Sequence, residues 1–508
     1  MRLPFKTFRG WFPRPGRLNP VMIAGLLLLL AGCTVGPDYV KPPTAAPAAY
    51  KEAPGWKVAQ PRDELSRGPW WEIYGDPRLN ALEEQVDINN QNIAQAEAQF
   101  RQSVALVKEA RSAYFPTVTG GASWTRFRNS GTLISSSGGG VGAGKGIGGG
   151  GIAAAPTLSE YLLNSDLTWE IDIWGQVRRQ VESSRASAQA SAADLEGVRL
   201  SARATLAQDY FQLRILDEQK RLLNDTAVNY RNILEWTKNQ YASGTASRGD
   251  VAQAETQFEA TEAQAIAVGV QRAQTEHAIA VLLGKSPSVF AIPVVRQTLR
   301  VPAVPFGVPS ELLERRPDIA AAERNMAAAN AQIGVALAAY YPSITLSAEG
   351  GFETVSLAKW LTWPSRLWSL GAAASETFLD FGLRSGQTAA ARAAYDASVA
   401  TYRQTVLGGF QQVEDNLAAL RILKEEAQKQ DEAVRDAKVS LAVSTDQYKA
   451  GTIAHIALLV VENTALTNEI TAITILGSQM SANVLLIEAL GGGWQSSDLP
   501  AVGWEPPI

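Results

Sequence analysis

Leu163-Asn164-Ser165-Asp166-Leu167-Thr168-Trp169-Glu170-Ile171-Asp172-Ile173 alternates residue by residue. Leu163, Ser165, Leu167, Trp169, Ile171 and Ile173 make one mostly apolar set, and Asn164, Asp166, Thr168, Glu170 and Asp172 make a polar one. Successive strand residues point to opposite faces, so this run offers one face to lipid and one to water, as a strand of a membrane barrel does. Ile344, Leu346, Ala348, Gly350 and Phe352 alternate in the same way with Ser343, Thr345, Ser347, Glu349 and Glu353. Weaker patterns, diluted by glycine and alanine, mark 117–128 and 368–381. The expected strands are therefore about 117–128, 160–173, 343–355 and 368–381. Four strands cannot close a barrel in lipid, where the smallest closed barrels have eight and an open edge strands its backbone polar groups. Two copies would supply eight strands and three would supply twelve, so a single chain is excluded as a complete pore.

The strands come in pairs because the chain is duplicated, and repeats decide how everything else is read. Phe381-Gly382 lies 207 residues beyond Trp174-Gly175, and the same offset links Leu213-Arg214-Ile215-Leu216 to Leu420-Arg421-Ile422-Leu423. It also links Tyr241-Ala242-Ser243-Gly244-Thr245 to Tyr448-Lys449-Ala450-Gly451-Thr452, and Leu283-Gly284 to Leu490-Gly491. Upstream, Tyr114-Phe115-Pro116-Thr117 is answered by Tyr340-Tyr341-Pro342-Ser343 at an offset of 226. The extra residues of the first copy fall around the glycine-rich run 138–151, a hairpin connection where insertions are tolerated.

Neither 158–285 nor 366–498 contains a proline, so long helices are permitted there. Ala, Gln, Glu, Arg and Leu dominate and favour helix. Val399, Val406, Val413 and Leu420 recur every seven residues, which keeps one stripe against a neighbouring helix and implies left-handed supercoiling. A helix from Gln176 to Ser243 would be on the order of 100 Å long at 1.5 Å per residue. The Tyr-x-x-Gly-Thr segments each supply a glycine able to take positive φ, turning one helix into the next. On the helices alone, a dimeric coiled coil with solvated turns is an alternative; the alternating strands argue against it.

The first 32 residues carry Arg2, Lys6, Arg9, Arg14 and Arg17, no acid, and the apolar run Val21 to Leu30. Ten apolar residues are too few to span a bilayer, so 1–32 reads as a cleaved signal peptide. Leu30-Ala31-Gly32-Cys33 resembles the bacterial lipoprotein box, which implies acylation of Cys33, the only cysteine. Several acyl chains give stable anchoring. Thr34 in place of an aspartate implies passage to the outer membrane. Without the leader the chain has 41 basic and 50 acidic side chains, a net charge near −9, which disfavours nucleic acid.

These features converge on one resemblance. Cys33-Thr34-Val35-Gly36-Pro37-Asp38-Tyr39, Trp70-Trp71 with Asp76-Pro77, Tyr114-Phe115-Pro116, Leu312-Leu313-Glu314-Arg315-Arg316-Pro317-Asp318-Ile319 and the paired Tyr-x-x-Gly-Thr turns are similar to those of the TolC-like outer membrane factors, in the OprM/NodT-type lipoprotein branch. The resemblance covers nearly the whole mature chain. It implies a mainly α protein with membrane β-strands: a homotrimer whose twelve-stranded β-barrel is continuous with a periplasmic α-helical barrel. It further implies the exit duct of a tripartite efflux pump, passing drugs or other small solutes from a periplasmic adaptor and inner-membrane pump to the outside of a Gram-negative cell. Two alternatives are the duct of a type I-like protein secretion system and, in a different class, a structural coiled-coil lipoprotein without a pore.

The expected organisation is a signal peptide at 1–32, a lipid-anchored extended segment at 33–75, a first repeat at 76–284, a linker at 285–309, a second repeat at 310–491 and a tail at 492–508. By the resemblance, Gly244, Thr245, Gly451 and Thr452 are the periplasmic tips that an adaptor contacts. Asp250 stands where the family often carries a gating acid, although the first turn of any helix favours an acid. Its counterpart at the 207 offset is Ala457, followed by Val460 and Val461, so an apolar constriction is also consistent. His455, just beyond the second turn, is a candidate for tuning the gate near neutral pH. His277 and His455 are the only histidines, which disfavours a metal site. Gly139 to Gly146 resembles a phosphate loop but has Gly146 where Ser or Thr is needed. No set of nucleophile, base and orienting group emerges, so neither a catalytic role nor any cofactor beyond the lipid on Cys33 is expected.

Overall fold

The computed structural model describes residues 34–43, 50–52, 69–128, 157–296, 299–304 and 315–499. The expected signal peptide, Cys33, the glycine-rich run 138–151, parts of the expected linker and the end of the expected tail lie outside the described residues.

In chain order the elements are α1 (Pro77–Asn89), α2 (Gln91–Ser112), β1 (Thr117–Arg128), β2 (Thr157–Glu170), α3 (Gln176–Ala242), α4 (Arg248–Leu282), α5 (Pro317–Ala338), β3 (Ser343–Thr354), β4 (Arg366–Ser375), α6 (Leu383–Lys449) and α7 (His455–Ala489). The duplication governs their boundaries. Adding 226 to the limits of α2 and β1 gives those of α5 and β3, and adding 207 to the limits of α3 and α4 gives those of α6 and α7.

One unit comprises residues up to 39, 106–184 and 329–395. Its sheet runs β1-β2-β3-β4, antiparallel throughout. Thr117 pairs with Thr168, Thr168 with Ser347, and Ser347 with Gly371, so one face can be followed across four strands. The expected β2 is displaced by three residues at each end. Ile171 N still donates to Ile344 O at 2.9 Å, but the Asp172 carboxylate turns away to accept from Val177 N and Arg178 N and so opens α3. The expected β4 stops at Ser375 instead of reaching 381, because Ser375 faces Ser343, the first residue of β3. Beyond it the described residues offer no strand to pair with.

The segment that follows Cys33 is seated in the same unit. Val35 N donates to Trp174 O, while the buried Arg179 guanidinium donates to Val35 O, Gly36 O and Asp38 Oδ1, the last at 2.8 Å. Asn330 Nδ2 donates to Pro37 O at 2.9 Å. The residue after Cys33 is thereby held near Trp174, which stacks on Tyr341 with ring centres 4.7 Å apart.

The other unit, 40–105, 185–328 and 396–508, is helical. Asp76 caps α1 by accepting from Arg78 N and Leu79 N, with Pro77 at the first helical position. Its second oxygen accepts from Tyr210 on α3. On α6, Tyr402, Val406, Val413, Leu417 and Leu420 are buried, so the sevenfold spacing marks the inward stripe; each such side chain contributes about 1.5–3 kcal/mol by leaving water. Arg316 from the expected motif donates to Ala489 O at the end of α7 and pairs with Asp318. By length and apolar content α7 could cross a bilayer, but Glu462, Asn463, Asn468, Glu469, Asn483 and Glu488 lie along it. It duplicates α4 and packs in the helical unit, with Leu466 and Ile470 against Leu223 and Ala265.

Gly284 and Gly491 end these two helices at matching places. Both have positive φ, and a Cβ would lie 2.3 Å from Asn89 O at the first and 1.9 Å from Arg315 O at the second. The two carbonyls are themselves 226 residues apart, so the duplicated contact admits only glycine in both copies.

Candidate functional site

The two helix turns are built alike. Gly244 has φ 75° and Gly451 φ 73°, and a Cβ at either would meet nothing within 4 Å, so backbone conformation and not space selects glycine. Thr245 donates to Gln240 O from its N–H at 2.9 Å and from its hydroxyl at 3.0 Å. Thr452 does the same to Gln447 O, at 3.0 and 2.9 Å. Each threonine therefore satisfies the end of the preceding helix, and all four expected tip residues are exposed.

Beyond the turns the copies diverge. Ser247 Oγ accepts from Asp250 N at 3.2 Å, and the Asp250 carboxylate accepts from Ser247 N and Ser247 Oγ, a reciprocal cap on α4. Bonds from the Ser247 backbone and hydroxyl hold the Asp250 carboxyl below its ordinary range, helped by the nearby His455. At the 207 offset Ala454 and Ala457 replace both capping residues, and α7 starts without a side-chain cap. Ile456, Ala457 and Val460 stand exposed there, and Val461 is half-buried. The structure thus gives Asp250 a local partner in Ser247 and leaves the second turn apolar.

His455 is buried at the start of α7 against Tyr448, with ring centres 5.4 Å apart. Trp236 packs edge-on against the same tyrosine, whose hydroxyl meets Thr237 Oγ1 at 3.3 Å. Burial lowers the imidazole's proton affinity and the Asp250 charge opposes that effect. His455 Nδ1 is buried with no hydrogen-bond partner among the described residues, so protonation would place a charge in an apolar wedge.

Glu462, two helical turns further along α7, was not flagged by sequence reasoning. It is buried, and burial pushes its carboxyl up to about 7. Across from it the Tyr230 phenol is pushed up to about 12, by burial first and by Glu462 second. The available signal was an acid directly following the apolar run Ile456 to Val461.

In the sheet, the register sorts side chains cleanly. Rows such as Val118-Leu167-Ala348-Leu370 and Gly120-Ser165-Gly350-Trp368 make one face. Thr119-Asp166-Glu349-Ser369 and Thr117-Thr168-Ser347-Gly371 make the other. The polar face carries Glu160, Asp166, Glu170, Glu349 and Glu353 and, on the described strands, no lysine or arginine. Arg126, Arg128 and Arg366 lie on the apolar face together with Trp124, Trp169 and Trp368. Among the described residues no group of His, Cys, Asp or Glu is arranged to hold a metal ion.

A two-faced sheet joined to paired long helical hairpins is the architecture of known outer-membrane ducts. The outer membrane efflux protein family matches residues 82–285 and 308–492. The pyoverdine export outer membrane protein OpmQ of Pseudomonas putida is 30% identical over 467 residues, covering 90% of this chain and 94% of that protein. The toluene efflux pump outer membrane protein TtgF of Pseudomonas putida is 29% identical over 482 residues, covering 93% and 96%. Among solved structures, the outer-membrane channel OprN superposes with a TM-score of 0.81 at 30% identity, covering 91% of this chain and all of that one. The chain therefore belongs to the outer membrane efflux protein family, with the TolC-like fold, and serves in the outer membrane as the exit duct of an efflux pump.

Proposed function

We propose that three copies close their sheets into one twelve-stranded barrel, polar face inward, and that their helical hairpins form a duct reaching into the periplasm. The observation that carries this reading is a sheet with two faces of opposite character whose edges, β1 and β4, pair with no further strand among the described residues. In lipid such edges must be paired. Acylation of Cys33 anchors the mature N-terminus, and the seat formed by Arg179 and Asn330 supports a fixed place for it.

Solutes pass without any catalytic step, driven by an inner-membrane pump that connects through a periplasmic adaptor. The relatives named for pyoverdine and toluene support small organic solutes as cargo. Gly244, Thr245, Gly451 and Thr452 present the adaptor-docking turns. Asp250, His455 and the apolar residues after the second turn constrict the closed end. Purified protein in planar lipid bilayers tests this reading. Discrete conductance that rises when the Ser247–Asp250 cap is removed is expected; an oligomer that stays silent both with and without the cap would overturn it.

A further inference from the structure

The internal duplication makes one contact computable that a single chain cannot display. Every β3–β4 pair is a β1–β2 pair carried forward by 226 at the first residue and 207 at the second: Thr117 with Thr168 becomes Ser343 with Ser375. The two hairpins therefore share one register without slippage. The β2–β3 ladder has no duplicate within the chain, because its counterpart would pair β4 with a strand equivalent to β3, and that strand is β1.

We propose that β4 of one subunit pairs antiparallel with β1 of the next in the register that β2 and β3 use here, so that Ser375 faces Gly121, Ala373 faces Ser123 and Gly371 faces Thr125 of the neighbouring copy. This deepens, and rests on, the trimeric reading. The mapping is direct: Thr168 with Ser347 and Asp166 with Glu349 give the first two of these pairs.

The same mapping explains an otherwise bare apolar loop. Trp174 stacks on Tyr341 and donates to Pro342 O, whereas its duplicate Phe381 is 92% exposed, beside Phe378 at 93%. Phe381 is also the only non-glycine residue with positive φ among the described residues. The duplicate of Tyr341 is Phe115, which is 59% exposed. Phe381 of one subunit therefore stacks on Phe115 of the next. Phe378 N, the counterpart of Ile171 N, donates to Val118 O of that copy and carries β4 onward toward the length its sequence pattern suggests. This interface is heterologous, and three repeats of it close a ring.

Cysteine pairing tests the register. Ile171 N bonds to the directly opposed Ile344 O, so pairs an odd number of residues away, including Asp166 with Glu349 and hence Ala373 with Ser123, are of the non-hydrogen-bonded type. Their Cα atoms lie about 4.5 Å apart, within disulfide reach. Inside one chain β1 and β4 are three strand spacings apart, roughly 14 Å, so any bond formed joins two subunits. The S123C/A373C variant, oxidised in outer membranes, is expected to give covalently linked dimers and trimers, whereas G121C/A373C and T125C/A373C give far less. Linkage through a slipped pair instead would overturn the register while leaving the oligomer intact. Absence of linkage in every pair, in protein whose native mass is trimeric, would overturn the seam. A single-chain native mass would overturn the trimeric reading and this one with it.

Discussion

Asp166 on β2 and Glu349 on β3 stand directly opposite each other on the polar face, and Asn164 Nδ2 donates to both, at 2.7 and 3.4 Å. Two carboxylates held this close, with no base on their face of the described strands, create a negative potential in the water they line. The D166N/E349Q variant is expected to conduct with a weaker preference for cations, read as a reversal potential closer to zero under a KCl gradient. An unchanged reversal potential would place this face away from the water path.

Gly284 and Gly491 carry the second prediction. Alanine at either position combines an unfavourable φ with a clash against Asn89 O or Arg315 O, at a cost of about 1–3 kcal/mol each. Thermal unfolding followed by circular dichroism should show comparable losses for G284A and G491A, because the contact is duplicated. A loss confined to one of them would mean that the two helix ends are not equivalent.

The repeat, both helical hairpins and the membrane strands were legible in the sequence because each rests on local pattern: alternation, a seven-residue stripe and a Gly-Thr turn. The pairing of Leu283-Gly284 with Leu490-Gly491 was visible as well, but its cause, a carbonyl from α1 or from Arg315 pressed against the glycine, is a tertiary contact that spacing does not reveal. The end of β4 was misjudged because Phe378 and Phe381 continue an apolar pattern for which the described residues offer no partner strand. Asp250 was noticed as an acid near a turn. That its nearest partner is Ser247, three residues back, is a matter of local geometry.

That cap gives a third prediction. S247A should lower the stability of the first turn of α4 by about 1 kcal/mol, seen as faster amide hydrogen exchange there, whereas the A454S/A457D variant should slow exchange at the start of α7. The pH dependence follows from the lowered Asp250 pKa. A carboxyl that binds its proton less readily when folded contributes stability that is present above its unfolded pKa and is lost as pH falls through the folded value. Protection of the first turn of α4 should therefore hold from pH 7 down to about 4 and fall below that. Protection that declines already between pH 7 and 5 would contradict the assignment.

Glu462 has the opposite sign. Its folded pKa, raised to about 7 from 4.5, means that the folded chain keeps a proton that the unfolded chain has released. Stability falls as pH rises between those values and is flat on either side. E462Q should remove this slope, matching wild type at pH 5 and exceeding it at pH 8 by on the order of 2 kcal/mol. Parallel melting curves for the two proteins across that range would show that the carboxyl is solvated.

The most direct test of the whole account is the mass of the intact assembly, measured by native mass spectrometry from detergent micelles after extraction from the outer membrane. Three mature chains per particle, with lipid attached at Cys33, is the predicted result. A stable, water-soluble particle of one chain would contradict it, because a four-stranded sheet with two open edges would then have no need of a bilayer or of its neighbours.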